Sequence, residues 1–419
     1  MKPKILFITT NNLSTNPRLL KEIKLASENG FIVSFIGFKL GSWADKTDEN
    51  HLETFQCFKK VYLSAIRKPF FNWLISTIIW KASNLLCKWF KYNIRLNAFA
   101  HNKRTWQIYR YLQQENSKFD LIVSHNLGAL YPAYQFTKKN RIPFAFDIED
   151  YHPGENCAPD EKKRREFLMK KLLPKALFIT YASPLIGEYS KNLIENITKS
   201  INEKSTFHLS KEHFILINNC FSQNEFQFKA TQSDKIRFVW FSQNISAGRG
   251  LELVVPALAN YNSQIELTLI GNLYQSFYDD FLSKYISFIK IEEPLTQKKL
   301  NQKLSEFDVG LAIELDVADF NRQICLTNKI FSYAQSGLYI LATNTAAQNQ
   351  FIAEHDELGI TCGQSIAEMV YQIDKIVKNI AGISNQKHNR FEYAQKLAWE
   401  NESSKLLKLW GRDIDRGKN

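Results

Sequence analysis

Short apolar runs, polar loops and stretches of helical period alternate along the whole chain. Lys4–Thr10, KILFITT, reads as a buried strand and Asn11–Pro17 as a polar loop. Arg18–Asn29 then carries Leu19, Leu20, Ile23 and Ala26 at helical spacing, Gly30 stops the period, and Phe31–Phe38 is apolar again. Strand, helix and strand in such close succession form a βαβ unit, which requires a parallel sheet. A helix at Trp106–Leu112 leads to a strand at Phe119–Ser124 and a helix through Ala129–Phe136. Pro143–Glu149 and Ala176–Ala182 are further strands, with helices at Asp160–Lys171 and opening at Ser183–Lys191, and His213–Asn218 is the last strand of this half. A polar, irregular stretch follows, with a linker near Ser222–Gln232.

The pattern then restarts. Ile236–Phe241, IRFVWF, reads as a strand, Ser242–Gly248 as a small-residue loop, and Arg249-Gly250-Leu251-Glu252 as the opening of a helix. Ile265–Ile270, Tyr285–Glu292 and Leu311–Leu315 are strands. After a polar stretch at Asp316–Thr327, Asn328 caps a helix that begins at Lys329 and turns Ile330, Phe331 and Ala334 inward. Gly337 ends it, and Leu338–Ala342 is another buried strand. Phe391–Trp410 closes the chain as a helix. The reading is α/β with two Rossmann-like domains, residues 1–222 and 223–390, and a terminal helix at 391–419. At 419 residues the chain is long for a single core, which agrees with two.

One segment departs from this pattern. Phe58–Arg95 is rich in aromatic residues, and its uncharged run Phe70–Trp80 is too short to cross a bilayer. At helical spacing Phe71, Leu74, Ile75, Ile78, Ala82, Leu85, Leu86 and Trp89 share one face, while Lys81, Lys88 and Arg95 recur every seven residues on another. Two readings stand: an amphipathic basic helix lying in an anionic membrane interface, or a core helix pair with a basic outer face.

Charge sharpens the picture. The net charge is +12, which points to an anionic partner: nucleic acid, membrane surface or a phosphorylated substrate. The cations are dispersed and no base-reading motif is present, so nucleic acid is disfavoured. The six cysteines are scattered without a Cys-x-x-Cys, which argues against zinc and against a disulfide framework. No Gly-x-Gly-x-x-Gly follows the first strand, which disfavours NAD. Met1-Lys2-Pro3-Lys4 leads straight into a strand with no signal-peptide pattern, so a cytoplasmic setting is expected, with the inner face of the plasma membrane as a peripheral location.

Candidate chemistry lies where strands end. His125 follows a strand and can hydrogen-bond a hydroxyl or take its proton; a lone histidine there can equally be structural. Asp147, Glu149, Asp150, His152 and Glu155 fall within nine residues. Glu149 and Asp150 are the favoured pair, to orient an acceptor hydroxyl, act as general base or hold a divalent metal; a capped loop at a domain edge is the alternative. The run Lys162-Lys163-Arg164-Arg165 reads as a solvated face, with a phosphate or membrane contact as the alternative. In the second half, loop N–H groups, a helix start and Arg249 make an anion cradle, and Lys329 adds a cation at a second helix start. An ordinary crossover with a surface lysine fits the latter equally well.

The segment LTNKIFSYAQSGLYILAT, 326–343, resembles the donor-site segment of GT-B glycosyltransferases of the family-4-like kind. Asn328, Lys329, Phe331, Tyr333 and Gly337 match its pattern. Ser332 stands where that family places a glutamate that holds the donor ribose, and Ile324 stands at the other glutamate of its pair. Arg249-Gly250 resembles the end of the family's diphosphate-gripping loop, with Asn244 where an arginine is usual, and Gly271 resembles its next glycine turn. FDLIVSHNLGAL resembles the family's strand-end histidine, and AWENESSKLL its closing helix.

The resemblance implies two domains facing across a cleft, with the final helix crossing back to the first. It implies a nucleotide-diphosphate sugar as donor substrate, no cofactor and no metal, and a hexosyl transfer to a glycan or lipid-linked acceptor in surface-polysaccharide synthesis. Asn244, Arg249, Gly250, Gly271, Asn328, Lys329 and Ser332 would hold the donor; His125, Glu149 and Asp150 would act on the acceptor. A nucleotide-sugar epimerase and a non-catalytic nucleotide-sugar-binding protein are the alternatives.

Overall fold

A computed structural model describes residues 2–41, 45, 48, 57–195, 213–230 and 233–416. The chain divides into two compact units. One runs to Ile217 and takes up the chain again from Ser403; the other is Asn218–Glu402. The boundary falls a few residues before the linker expected at Ser222–Gln232, of which residues 231–232 lie outside the described residues.

Among the described residues the first unit holds seven strands: β1 (Lys4–Thr9), β2 (Ile32–Lys39), β3 (Cys57–Ser64), β4 (Leu121–His125), β5 (Phe144–Ile148), β6 (Phe178–Tyr181) and β7 (Phe214–Leu216). They form one sheet in the order β3-β2-β1-β4-β5-β6-β7, and every pairing is parallel. Parallel strands buried on both faces read as continuous apolar runs, which is why β1, β4 and β5 stand out in the sequence. The terminal helix Trp399–Arg416 contributes Trp410 to this core, where its ring meets the edges of Phe7 and Phe31 at 6.1 and 5.8 Å.

The second unit repeats the arrangement with six strands: β8 (Ile236–Ile245), β9 (Ile265–Leu273), β10 (Ile289–Glu292), β11 (Val309–Ala312), β12 (Tyr339–Thr343) and β13 (Gly359–Cys362). Their order is β10-β9-β8-β11-β12-β13, again parallel throughout. In each sheet the crossover direction reverses beside the first strand, between β1 and β4 and between β8 and β11. Open α/β sheets bind ligands at the carboxyl ends of the strands at that switch point.

Three expectations change. The aromatic segment begins with an edge strand, β3, whose Lys59 and Lys60 are typical of edges and hid it among basic residues. The helix that follows is Phe70–Leu86; Lys88 lies beyond it and Arg95 belongs to the next helix, Ile94–His101, so the seven-residue basic stripe is not on one helix. The expected loop Ser242–Gly248 is shorter, because β8 runs on to Ile245 through a register shift and pairs Asn244 with Asn272 of β9.

Candidate active site

Helix Pro17–Glu28 starts under the carboxyl end of β1, capped by Asn16, whose side chain accepts from the Leu19 N–H. Arg18 and Glu22, four residues apart, project from one face of this helix into the sheet's switch point and are fully buried. Arg18 donates to both carboxylate oxygens of Asp147 in β5, from Nε and Nη2, at 2.7 Å each, and also to the Ile217 carbonyl. Thr180 of β6 donates to the same carboxylate. His125, the last residue of β4, is fully enclosed between Glu22, at 3.2 Å from Nε2, and Asp147, at 3.5 Å from Nδ1.

These four charges settle one another. Burial alone would lower the His125 pKa, but the Glu22 and Asp147 carboxylates outweigh it and raise it to about 9. Burial would raise Asp147, and the charges of Arg18 and His125 hold it below the usual carboxylate range. Arg18 and a protonated His125 therefore balance Asp147 and Glu22. His125 hydrogen-bonds Glu22 through Nε2, while Nδ1 lies 3.5 Å from Asp147 without a hydrogen bond; closed to solvent and favoured in its charged form, it is placed to balance charge and not, as expected, to take a proton. Glu22, His125 and Asp147 also place ligand atoms within 4.8 Å of one another, close enough for a metal ion. The bidentate guanidinium already occupies both oxygens of Asp147, and the charge of the set is met without a cation.

Glu149, one residue past β5, is the fifth ionisable group. Asn16 Nδ2 donates to its Oε2 at 3.0 Å and Asn126 Nδ2 reaches the same oxygen at 3.5 Å, while Thr9 Oγ1 fixes the Asn126 amide. Burial pushes the Glu149 carboxyl up to about 7, with the Asp147 and Asp150 charges adding to the rise and those of His125 and Arg18 opposing it. Asp150 is half-buried beside it. The rest of the expected acidic cluster separates: Glu155 pairs with His152 at 3.2 Å and with Arg165 at 2.5 Å. Arg164 and Arg165 also turn to Glu161, so only Lys162 and Lys163 of the basic run face solvent.

In the second unit Glu314, two residues past β11, gathers cations at the sheet's switch point. Lys329, in the first turn of helix Asn328–Gln335, donates to its Oε1 at 3.2 Å, and Arg322 to its Oε2 at 3.2 Å. Burial would raise the Glu314 pKa; the two cations outweigh it and hold it low. Lys329 Nζ also lies 5.2 Å over the Trp240 ring. Gly250 caps helix Leu251–Ala259 with φ +83° and packs against Ile313, next to Glu314 in the chain. Arg249 is therefore delivered to the same end of the sheet; it is exposed and, among the described residues, forms no ion pair. Asn328 is the first residue of its helix, and Thr327 is the cap.

Two expected donor contacts have other work. Ser332 is fully buried and donates to Asn301 Oδ1 at 3.2 Å, so it offers no hydroxyl to a ligand. A Cβ on Gly271 would meet the Ser242 carbonyl at 2.3 Å, so this glycine lets β8 and β9 approach at the register shift where Asn244 is paired. Sequence reasoning missed Glu22, Asn16, Asn126 and Glu314. The four-residue spacing of Arg18 and Glu22 and the lone acid in LAIEL were the available signals.

No family model matches the chain, and no curated protein matches it by sequence. Solved structures do match. Sucrose-phosphate synthase from Thermosynechococcus elongatus superposes with a TM-score of 0.66 at 13% identity, covering 98% of this chain and 99% of that one. Anabaena HepE in complex with UDP gives 0.64 at 13% identity, covering 98% and 100%. A putative UDP-N-acetylglucosamine 2-epimerase from Listeria monocytogenes gives 0.52 at 12% identity, covering 94% and 91%. The chain thus has the fold of these proteins, two Rossmann-like α/β domains with parallel sheets, which is the fold of GT-B glycosyltransferases.

Proposed function

We propose that the protein is a glycosyltransferase of the family-4-like kind that moves a hexosyl unit from a nucleotide-diphosphate sugar to a glycan or lipid-linked acceptor of surface-polysaccharide synthesis, at the cytoplasmic face of the membrane. The observation that carries this reading is the meeting of Lys329 and Arg322 at Glu314, at the switch point of the second sheet, with Arg249 in the loop that enters the helix beside Ile313. Lys329 and Arg322 share the one carboxylate of Glu314, and Arg249 carries a cation with no ion pair among the described residues, so positive charge is available for a diphosphate. Charge builds on the phosphate oxygen as the glycosidic bond breaks, and a single donor aimed at such charge contributes roughly 10²–10³ in rate. That HepE was solved with UDP supports a uridine nucleotide as the first to try.

In the first unit Glu149 is the residue suited to take the acceptor proton, because a carboxyl poised near neutrality is an efficient general base. Asp150 would orient the hydroxyl, and His125 would hold the charge balance beneath them as a positioning residue.

The test is to incubate the chain with a panel of nucleotide sugars, with and without lipid-linked and soluble saccharide acceptors, and follow nucleoside diphosphate release. Release that depends on an acceptor is the expected result. The likeness to a putative 2-epimerase favours one competitor, which would convert the sugar nucleotide with no acceptor present. Binding without turnover would indicate a non-catalytic protein, and no binding of any nucleotide sugar would overturn the proposal.

A further inference from the structure

Helix Phe70–Leu86 is built inside out. Its enclosed side chains are Ser76 and Ser83, seven residues apart on one face. Asn84 on the flank donates to the Ala100 carbonyl at 3.1 Å, and Gln107 reaches Ser76 at 3.5 Å, so the helix docks on the unit through polar and small groups. The opposite stripe is apolar and open to solvent: Phe71 is 73% exposed, Ile78 56% and Leu85 60%, with Ile75 between them. The turn after the helix continues it with Trp89 at 80% exposure and Phe90 at 59%. Apolar positions on a monomeric soluble protein rarely line up in this way without a partner.

The charge around this stripe names the partner. Residues 58–114 contain eleven Lys and Arg and no Asp or Glu. Lys68, Lys81, Lys88 and Lys91 are exposed around the stripe, and Arg67 and Lys103 lie over the Trp73 ring at 5.2 and 5.9 Å. Cations held by rings and not by acids keep their charge available to an anion. A second copy of this chain would bring the same positive surface against itself, which disfavours a self-association face. No helix among the described residues is long and apolar enough to cross a membrane, so the fit is to a surface and not to a span.

We infer that the Phe71–Ile75–Ile78–Leu85 stripe, extended by Trp89 and Phe90, docks in the plane of an anionic lipid bilayer. Its rings and aliphatic side chains enter the boundary between headgroups and acyl chains, and the surrounding lysines meet lipid phosphates. The core-helix reading of this segment is set aside because its apolar face is the exposed one. The inference deepens the lipid-linked acceptor reading above. Its test reads lipid binding, so the two can fail separately.

The experiment is flotation of the full chain with vesicles of phosphatidylcholine alone or mixed with phosphatidylglycerol, at low and high salt. Binding to the mixed vesicles that weakens with salt and is absent on neutral ones is expected. A Phe71→Ser/Trp89→Ser variant alters exposed positions only; with an unchanged circular dichroism spectrum it should bind at least about tenfold more weakly. A Lys81→Glu/Lys88→Glu variant should lose binding to a comparable degree. Failure of the unmodified chain to float with anionic vesicles at low salt would overturn the inference, as would full binding by the Phe71/Trp89 variant. A lipid-free dimer that this variant dissociates would reassign the face to a second copy and would overturn it too.

Discussion

Arg18 and Glu22 on helix Pro17–Glu28 balance Asp147 and His125 at the carboxyl ends of β5 and β4, and the half-buried Glu149 lies beside them. With Arg18 committed to Asp147 and His125 to Glu22, the ionised form of Glu149 has amide partners but, among the described residues, no cation of its own. That arrangement predicts an activity that rises with pH through about 7, as the carboxyl ionises, measured as a pH–rate profile under subsaturating substrate. Glu149→Gln should lower turnover by about 10²–10⁴, the usual worth of general-base catalysis, and flatten that rise. Stability moves the other way. A folded pKa above the ordinary value of about 4.3 means that protonation of Glu149 favours the fold at acid pH, a contribution lost as pH rises through about 7. The glutamine variant escapes that loss, so at pH above about 8 its melting temperature should equal or exceed that of the unmodified chain, by about 2–4 °C per kcal/mol regained. This residue was legible in the sequence from its place at a strand end. Its partners were not, because Asn16 and Asn126 look like an ordinary helix cap and an ordinary loop amide until the sheet brings both to one carboxylate.

At the scale of elements, the loop from β8 into helix Leu251–Ala259 depends on one residue. Gly250 adopts φ +83°, where a side chain is strained, and an added Cβ would lie 2.3 Å from the Ile313 methyl. Gly250→Ala should destabilise the second unit by about 1–3 kcal/mol and weaken nucleotide binding together with it, since the loop that carries Arg249 must shift. Urea unfolding and nucleotide titration of the same variant check both effects. The buried strands were readable because both faces of each sheet are covered, which gives continuous apolar runs in β1, β5, β8 and β12. Two kinds of element escaped. β3 is an edge strand with lysines, and β8 extends through a register shift that periodicity does not encode. Helix Phe70–Leu86 was correctly seen as amphipathic, but which of its faces is buried is a matter of tertiary packing: Ser76 and Ser83 fill the narrow space that larger side chains would not.

For the whole molecule, charge is unevenly distributed. Residues 58–114 account for eleven of the +12, so the rest of the chain is nearly neutral. The pairing of two similar sheets was evident from the repeated strand and helix pattern, since each half restarts with a buried strand, a polar loop and a helix start. A glycosyltransferase built this way must bind a nucleoside diphosphate in the second of those halves. Calorimetric titration of the full chain with UDP and the other common nucleoside diphosphates tests it most directly, alongside Arg249→Gln, an exposed position, and Lys329→Met. The prediction is one site per chain for at least one nucleotide, with each substitution weakening it about 10-fold or more, as expected for a lost charge-assisted contact. Undiminished affinity in either variant, or no heat with any nucleoside diphosphate, would contradict it.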